Sequence, residues 1–461
     1  MTCQKVIIPE IDIFNTTVSS KPLSDESHLI GSEACNYYYT SVVMGDNIPF
    51  YNFPVLLNSN GSLWQDGIRF VFHLMELNDF TKSYFSDANF RKISHIIDFK
   101  SWCDSEGINM FDFNHRFALK RPTYLYFQYL TTLSISAENI NNRTSTIYEF
   151  IKFHSRSYKI DMSRVDQVKE SFIQYTTSTG FRQTKLINKR LLTAKKIKRF
   201  PNYKSAVMDD GEELRPLTSA QKSELYVALN SPIIDVDERL IFETCLETGA
   251  RKQTILTIRL KHIKLFTNEN LHTDNCFRIQ AGLGTDIDTK KDKRLTIVIP
   301  LSLAEKLKIY ASSTEAKNRR KIFFSKFGDN LFKDKDDIYL FIGKKGNCRY
   351  MAKSDPRYAR TFTRPKGHSI SAVVSRIKKL VSNNFPTSYT FHWNRATYAY
   401  DLYLALVPHL NNQEINFNQL IGYIQNSLGH EEPKTTLNYL KLFRDENKQL
   451  DMQESWERKF L

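Results

Sequence analysis

Residues 428–440 read LGHEEPKTTLNYL, and this stretch decides how the rest of the chain is interpreted. Gly429 is typical of a helix C-terminus, and Pro433 is typical of the first turn of a new helix. On one continuous helix, His430 and Tyr439 would lie on opposite faces, roughly 13 Å apart along the axis. A turn between two helices would instead bring the histidine and the tyrosine to one pocket.

Taken alone, Tyr439 would be interpreted as a packing residue, because the 461 residues include 23 tyrosines. Three other pieces change that interpretation: Arg251 in ETGAR, the lysines of TKKDKR, and His392 with Arg395 in FHWNR. On a helix, His392 and Arg395 would share one face and could reach one anion together. Arginine offers a planar, bidentate fork to phosphate oxygens, so these pieces suit a phosphodiester.

The chemistry of these residue types is consistent with strand cleavage by a tyrosine. Two arginines can stabilise the charge of a pentacoordinate phosphorane, a lysine can protonate the leaving 5′ oxygen, and a histidine can accept the tyrosine proton. The sequence contains no metal-binding motif, and this chemistry needs neither a metal nor another cofactor.

Charge and composition point to a polyanionic partner. The net charge is +15 and the pI is near 9.3, which favours nucleic acid first and an acidic membrane surface second. No apolar stretch approaches 18 residues and the N-terminus lacks a signal-peptide pattern, so we expect a cytoplasmic protein, associated with the nucleoid if bacterial. The scattered cysteines predict neither a zinc site nor a disulfide framework; they are residues 3, 35, 103, 245, 276 and 348.

The chain divides into four segments by its pattern. Residues 1–60 contain short β-type runs and have no assigned role. Residues 61–204 have helical spacing and end in an acid-free basic run from Arg182, which could track a phosphate backbone. Residues 205–215 are predicted to be a linker, and residues 216–461 form a second unit.

Within the second unit, residues 276–300 are predicted to be β strands around a polar turn. Thr218 or Ser219 can cap its first helix. A basic segment follows at about 315–368, and helices return from about 369.

The motifs TGAR, HWNR and LGHEEPKTTLNY resemble the boxes of the tyrosine recombinases, the phage-integrase type of site-specific DNA recombinase. The resemblance covers about residues 216–445, and the helical unit before it resembles the family's core-binding domain. It implies a mainly α fold with a small antiparallel β-sheet (α+β), in which the core-binding and catalytic domains clamp duplex DNA.

Residue by residue, the resemblance implies specific roles. Arg251 and Arg395 would clamp the phosphate, His392 would be the general base, and His430 would donate a hydrogen bond to the phosphate. Tyr439 would be the nucleophile that forms a 3′-phosphotyrosine bond and leaves a 5′ hydroxyl.

The general-acid lysine of the family lies in a β-hairpin. Lys290 best matches its spacing, and Lys291 and Lys293 remain open because hairpin length varies. Two features depart from the family: Thr254 stands where an acid often follows the first arginine, and the segment Pro300–His392 is longer, with basic content that could add DNA contacts or a partner surface.

The function implied is that of a DNA strand transferase, a recombinase or integrase that moves or resolves a mobile element. Double-stranded DNA is the expected partner, in a homotetramer on two duplexes, with accessory proteins a further possibility and no membrane partner. Residues after Tyr439 would pack on a neighbouring protomer. A type IB topoisomerase and a catalytically silent DNA-binding protein are the alternatives, which plasmid relaxation and inertness, respectively, would distinguish.

Overall fold

The chain forms two compact units. The first comprises Met1–Lys198 with Ala359–Phe362, and the second comprises Arg199–Tyr358 with Thr363–Leu461. The computed structural model describes residues 3–11, 15–19, 28–32, 35–42, 49–77, 83–176, 182–195, 207–209, 212–430 and 435–438.

The first unit begins with two small antiparallel sheets. One pairs β1 (Gln4–Ile11) with β5 (Phe50–Leu57), so that Val6 lies opposite Val55. The other has the order β2-β4-β3, formed by β2 (Asn15–Ser19), β3 (His28–Ser32) and β4 (Cys35–Val42).

Helices then form the core of the first unit. They are α1 (Gln65–Glu76), α2 (Asp87–Ser105), α3 (Pro122–Thr132), α4 (Ala137–His154) and α5 (Met162–Val165). Ser86 and Ser136 cap α2 and α4, because each hydroxyl accepts a hydrogen bond from the backbone N–H three residues later. Phe70, Ile96 and Phe150 are buried where α1, α2 and α4 pack together.

The helical pattern predicted for residues 61–204 is wrong at its end. Strands β6 (Val168–Thr176) and β7 (Arg182–Arg190) form an antiparallel hairpin instead. Phe172 lies opposite Leu186 in this hairpin, and both side chains are exposed. The β-branched and aromatic residues of the two strands favour such cross-strand pairing. Four residues of the basic run therefore lie in strand β7: Arg182, Lys185, Lys189 and Arg190.

The second unit is mainly helical. Its α-helices of five residues or more within the described residues are α6 (Ser219–Leu229), α7 (Val236–Thr248), α8 (Lys252–Leu256), α9 (Leu260–Lys264), α10 (Leu301–Ser312), α11 (Thr314–Phe327), α12 (Ser369–Leu380), α13 (Trp393–Asn411) and α14 (Phe417–Leu428). Thr218 caps α6, as predicted for Thr218 or Ser219.

Two short sheets accompany these helices. Strands β8 (Val207–Asp209) and β9 (Glu212–Leu214) pair within the segment predicted to be a linker, and β10 (Cys276–Ala281) pairs with β11 (Leu295–Pro300). The predicted fold class, mainly α with small antiparallel sheets, is confirmed. A single hydrophobic core joins α7, α13, α14 and the β10–β11 sheet.

Ion pairs fix the first turn of α7. Asp237 is fully buried and pairs with Arg319 at 2.9 Å and with Arg349 at 2.5 Å. Beside it, Glu238 accepts two hydrogen bonds of 2.7 Å from Arg376. Arg319 and Arg349 come from the basic segment 315–368, so part of its charge is neutralised inside the second unit.

Candidate active site

Arg251 is placed by a sharp turn between two helices. Helix α7 ends at Gly249, whose φ of 63° is left-handed and whose N–H donates to the Cys245 carbonyl at 2.9 Å. Arg251 then occupies the N-terminal cap position of α8. A Cβ atom at Gly249 would lie 2.3 Å from Cδ1 of Tyr398, so glycine is required by both conformation and space.

Arg395 joins two helix ends. Its side chain is 1% exposed and lies in α13. One terminal nitrogen donates to the Gly249 carbonyl at 2.5 Å, and the other donates to the Leu428 carbonyl at 2.5 Å. Gly249 ends α7 in the ETGAR turn (residues 247–251), and Leu428 ends α14 in the LGH turn (residues 428–430). The Arg395 guanidinium therefore holds these two turns together.

His392 occupies the N-terminal cap position of the same helix, and its side chain makes no capping hydrogen bond there. The Arg395 N–H donates to the His392 carbonyl at 3.1 Å, so the two residues span its first turn. The His392 side chain is half-buried, whereas Arg395 is buried.

His430 follows the end of α14. Gly429 has a left-handed φ of 61°, and the His430 N–H donates to the Gln425 carbonyl at 3.0 Å, which closes the helix as the sequence predicted. The imidazole is 4% exposed, and its Nδ1 lies 3.0 Å from Oγ1 of Thr436. Thr436 belongs to a helical turn at residues 435–438.

A lysine from the β10–β11 connection also reaches His430. Lys293 Nζ donates to the His430 carbonyl at 3.0 Å and to the Gly429 carbonyl at 3.4 Å. Lys290 and Lys291 lie in a 3₁₀ turn and have exposed side chains. Lys293 thus contacts the turn at residues 428–430 directly.

Tyr439 and the turn around Pro433 lie outside the described residues, as does the tail after Tyr439. Two described side chains close to the site have a raised pKa. Burial raises the pKa of the Cys245 thiol to about 12, against the opposing charge of Arg395. Burial also raises the pKa of Tyr398.

The described residues contain no group of three or more metal-ligating side chains, and none of their helices is long and apolar enough to cross a membrane.

No protein-family model matches the chain, and no curated protein matches it. Among solved structures, the Tn1549 transposon integrase in complex with transposon right-end DNA is 14% identical, with a TM-score of 0.40 over 84% of this chain and 98% of that chain. The XerH site-specific recombinase bound to a palindromic difH substrate is 14% identical, with a TM-score of 0.36 over 76% of this chain and 73% of that chain. The chain is similar to an integrase and a recombinase. At these TM-scores the likeness is distant and assigns no role to any residue.

The sequence did not identify Asp288, which supports α8, the helix that begins after Arg251. Thr254 is buried and supplies no carboxylate to α8. Instead, the backbone N–H of Asp288 donates to Oγ1 of Thr257 at 2.9 Å, and that hydroxyl donates to the Gln253 carbonyl at 3.0 Å. Burial raises the pKa of Asp288, and hydrogen bonds from the Lys353 backbone N–H and then from the Gln253 side chain oppose this effect. Asp288 belongs to no motif, so only the folded chain identifies it.

Proposed function

We propose that the chain is a site-specific DNA recombinase or integrase that cuts and rejoins strands through a 3′-phosphotyrosine bond at Tyr439. The observation that carries the proposal is the double hydrogen bond of Arg395 to Gly249 and Leu428. It joins three sequence motifs, separated by up to 179 positions between Gly249 and Leu428, at one place. Packing alone does not require that these motifs carry two arginines and two histidines.

In the proposed reaction, Arg251, Arg395 and His430 bind the scissile phosphate. An arginine has five N–H donors, and the two carbonyl contacts of Arg395 fix its plane. The hydroxyl oxygen of Tyr439 attacks phosphorus while His392 accepts its proton, and the bond from phosphorus to the 5′ oxygen breaks.

Of the three lysines that the sequence leaves open, we assign the general acid to Lys293. The ammonium of Lys293 donates to the backbone carbonyl of His430, the residue whose imidazole is assigned to the phosphate. Lys290 and Lys291 are exposed at the tip of the turn. A proton donor must be within hydrogen-bond reach of the leaving oxygen, and the hydrogen bonds of Lys293 to residues 429 and 430 support this role.

Covalent capture tests the proposal. Sheared genomic DNA from the organism that encodes the chain is incubated with the pure protein, denatured with detergent, and the protein-linked DNA is sequenced. We expect the wild type and Tyr423→Phe, a control at an exposed tyrosine of α14, to capture one recurrent sequence. Tyr439→Phe should capture none, and peptide mapping should place the nucleotide on Tyr439. An adduct formed equally well by Tyr439→Phe would overturn the proposal.

The same experiment separates the alternatives. Adducts spread over unrelated sequences, with relaxation of a supercoiled plasmid, would indicate a topoisomerase-like enzyme. Recurrent binding without any adduct would indicate a silent DNA-binding protein.

The proposed assembly is a homotetramer on two duplexes, because strand exchange of this type uses four active sites. The net charge of +15 supports binding to duplex DNA. Accessory proteins and a role in moving or resolving a mobile element belong to the same proposal. Light scattering on the protein bound to a duplex that carries the captured sequence should give the mass of four chains and two duplexes. A stable complex of one chain with one duplex would contradict the assembly.

A further inference from the structure

The turn that carries the candidate lysines has an unfavourable backbone. Lys291 has a φ of 59° and Asp292 has a φ of 57°, so two successive non-glycine residues are left-handed. L-residues disfavour this conformation, and it persists only where surrounding contacts hold it. Within the turn, the Thr289 hydroxyl donates to the Lys293 carbonyl at 2.5 Å, which links the shape of the turn to the position of Lys293.

Lys353 supplies contacts from outside the turn. Its ammonium donates to both carboxylate oxygens of Asp292, at 2.7 and 2.6 Å. Its backbone N–H donates to the carboxylate of Asp288, at 3.1 and 3.3 Å. Lys353 therefore contacts acids on both sides of Lys290 and Lys291.

The Asp288 contact extends this support to the first arginine. Asp288 is buried and is bonded through Thr257 to α8, the helix that Arg251 begins. Lys353, from the basic segment 315–368, thus contacts the turn 289–293, which is linked both to α8 and to Lys293.

We propose that Lys353 is a positioning residue for Lys293: it braces the turn 289–293 so that the Lys293 ammonium stays at the LGH turn. This inference rests on the proposed function. It also gives a second role to the long segment between β11 and α13, whose Arg319 and Arg349 pair with Asp237.

An exposed ion pair ordinarily contributes little to stability, and here the two side chains are 47% and 41% exposed. A structural role alone would therefore leave activity nearly unchanged when the pair is removed. A positioning role predicts a kinetic defect confined to the proton transfer, because small displacements of a catalytic group have large effects on rate.

The test uses Lys353→Met, which removes the charge but keeps the backbone N–H that binds Asp288. Lys353→Arg keeps the charge and should rescue the defect. Lys264→Met is the matched control, because Lys264 forms another exposed ion pair of the same unit, with Asp336. Asp292→Asn should match Lys353→Met, and the double variant should be no slower than either single variant, because both remove one interaction.

The rate of adduct formation is measured on the captured duplex and on the same duplex with sulfur replacing the scissile 5′ oxygen. With oxygen, Lys293 must give a proton to the 5′ oxygen as its bond to phosphorus breaks. With sulfur, a thiolate leaves without that proton, since a thiol is far more acidic than an alcohol. Lys353→Met should be slower by about ten-fold or more on the oxygen duplex and near wild type on the sulfur duplex. Equal losses on both duplexes, or no loss, would overturn the inference.

A second measurement needs no DNA. The Asp292 N–H donates to the Thr289 carbonyl, and the Leu283 N–H donates to the Asp292 carbonyl. Their hydrogen exchange in the free protein should be faster by about ten-fold in Lys353→Met and unchanged in Lys264→Met. Unchanged exchange in Lys353→Met would refute the brace. If the wild type forms no adduct, the proposed function fails while exchange still decides the brace.

Discussion

Replacing Gly249 with alanine tests the turn that holds the first arginine. Gly249 has a φ of 63°, and an added Cβ atom would lie 2.3 Å from Cδ1 and 2.8 Å from Cε1 of Tyr398. Both distances are far below contact distance, so the ring must move. Tyr398 packs against the core of the second unit, which limits where it can go.

Two costs add in Gly249→Ala. The left-handed conformation of alanine costs about 1–2 kcal/mol. Overpacking against the Tyr398 ring costs about 1–3 kcal/mol more. The free energy of unfolding should therefore fall by about 2–5 kcal/mol, a large part of the about 5–15 kcal/mol that is typical of a folded protein.

Gly284→Ala separates these two costs. Gly284 also has a positive φ, of 83°, but no atom lies within 4 Å of its added Cβ, so only the conformational cost remains. Urea titrations followed by far-UV circular dichroism compare the two variants, and Gly249→Ala is repeated in a Tyr398→Ala background. We expect the larger loss in Gly249→Ala and partial relief in that background. Equal losses for Gly249→Ala and Gly284→Ala would refute the packing argument.

Three further changes probe other parts of the second unit. Asp237→Asn leaves two buried arginines without their shared carboxylate and should lower the free energy of unfolding by about 3–5 kcal/mol, measured by urea titration. Burial lowers the pKa of His262 from 6.5 to about 4, so the unfolded chain takes up this proton first. Stability should be complete above about pH 6.5 and fall by up to ~3 kcal/mol toward pH 4; His262→Gln should flatten that slope, and an unchanged slope would contradict the assignment. Thr436→Val removes the hydroxyl that lies 3.0 Å from His430 and should slow adduct formation about ten-fold with unchanged DNA binding in a gel-shift assay; a normal rate would contradict a role for this contact.

Much of the fold and of the site could be predicted from local sequence. Gly249 and Gly429 end helices in left-handed conformations, which glycine adopts readily. The β10–β11 pair follows from two β-rich runs around a polar turn. These features depend on residues close together in the chain, so the sequence pattern is enough to identify them.

Other features depend on distant parts of the chain and could not be predicted. Lys290, Lys291 and Lys293 stand within four positions, and spacing alone cannot say which one the turn directs toward His430. Asp288 and Lys353 meet 65 positions apart in the sequence. The hairpin β6–β7 was missed because its basic, mixed sequence suggests an exposed helix as readily as a strand, and cross-strand pairing decides between them.

The position of Arg395 limits how the proposed activity could be lost during evolution. Its contacts at Gly249 and Leu428 hold two helix ends inside the core, so replacing it would damage folding together with any chemistry. Arg251 lies at the start of a short helix and is only partly buried. Arg395 would therefore remain under selection for folding even after the proposed catalysis is lost. In a lineage that kept the fold as an inert DNA-binding protein, we expect Arg251 to change before Arg395.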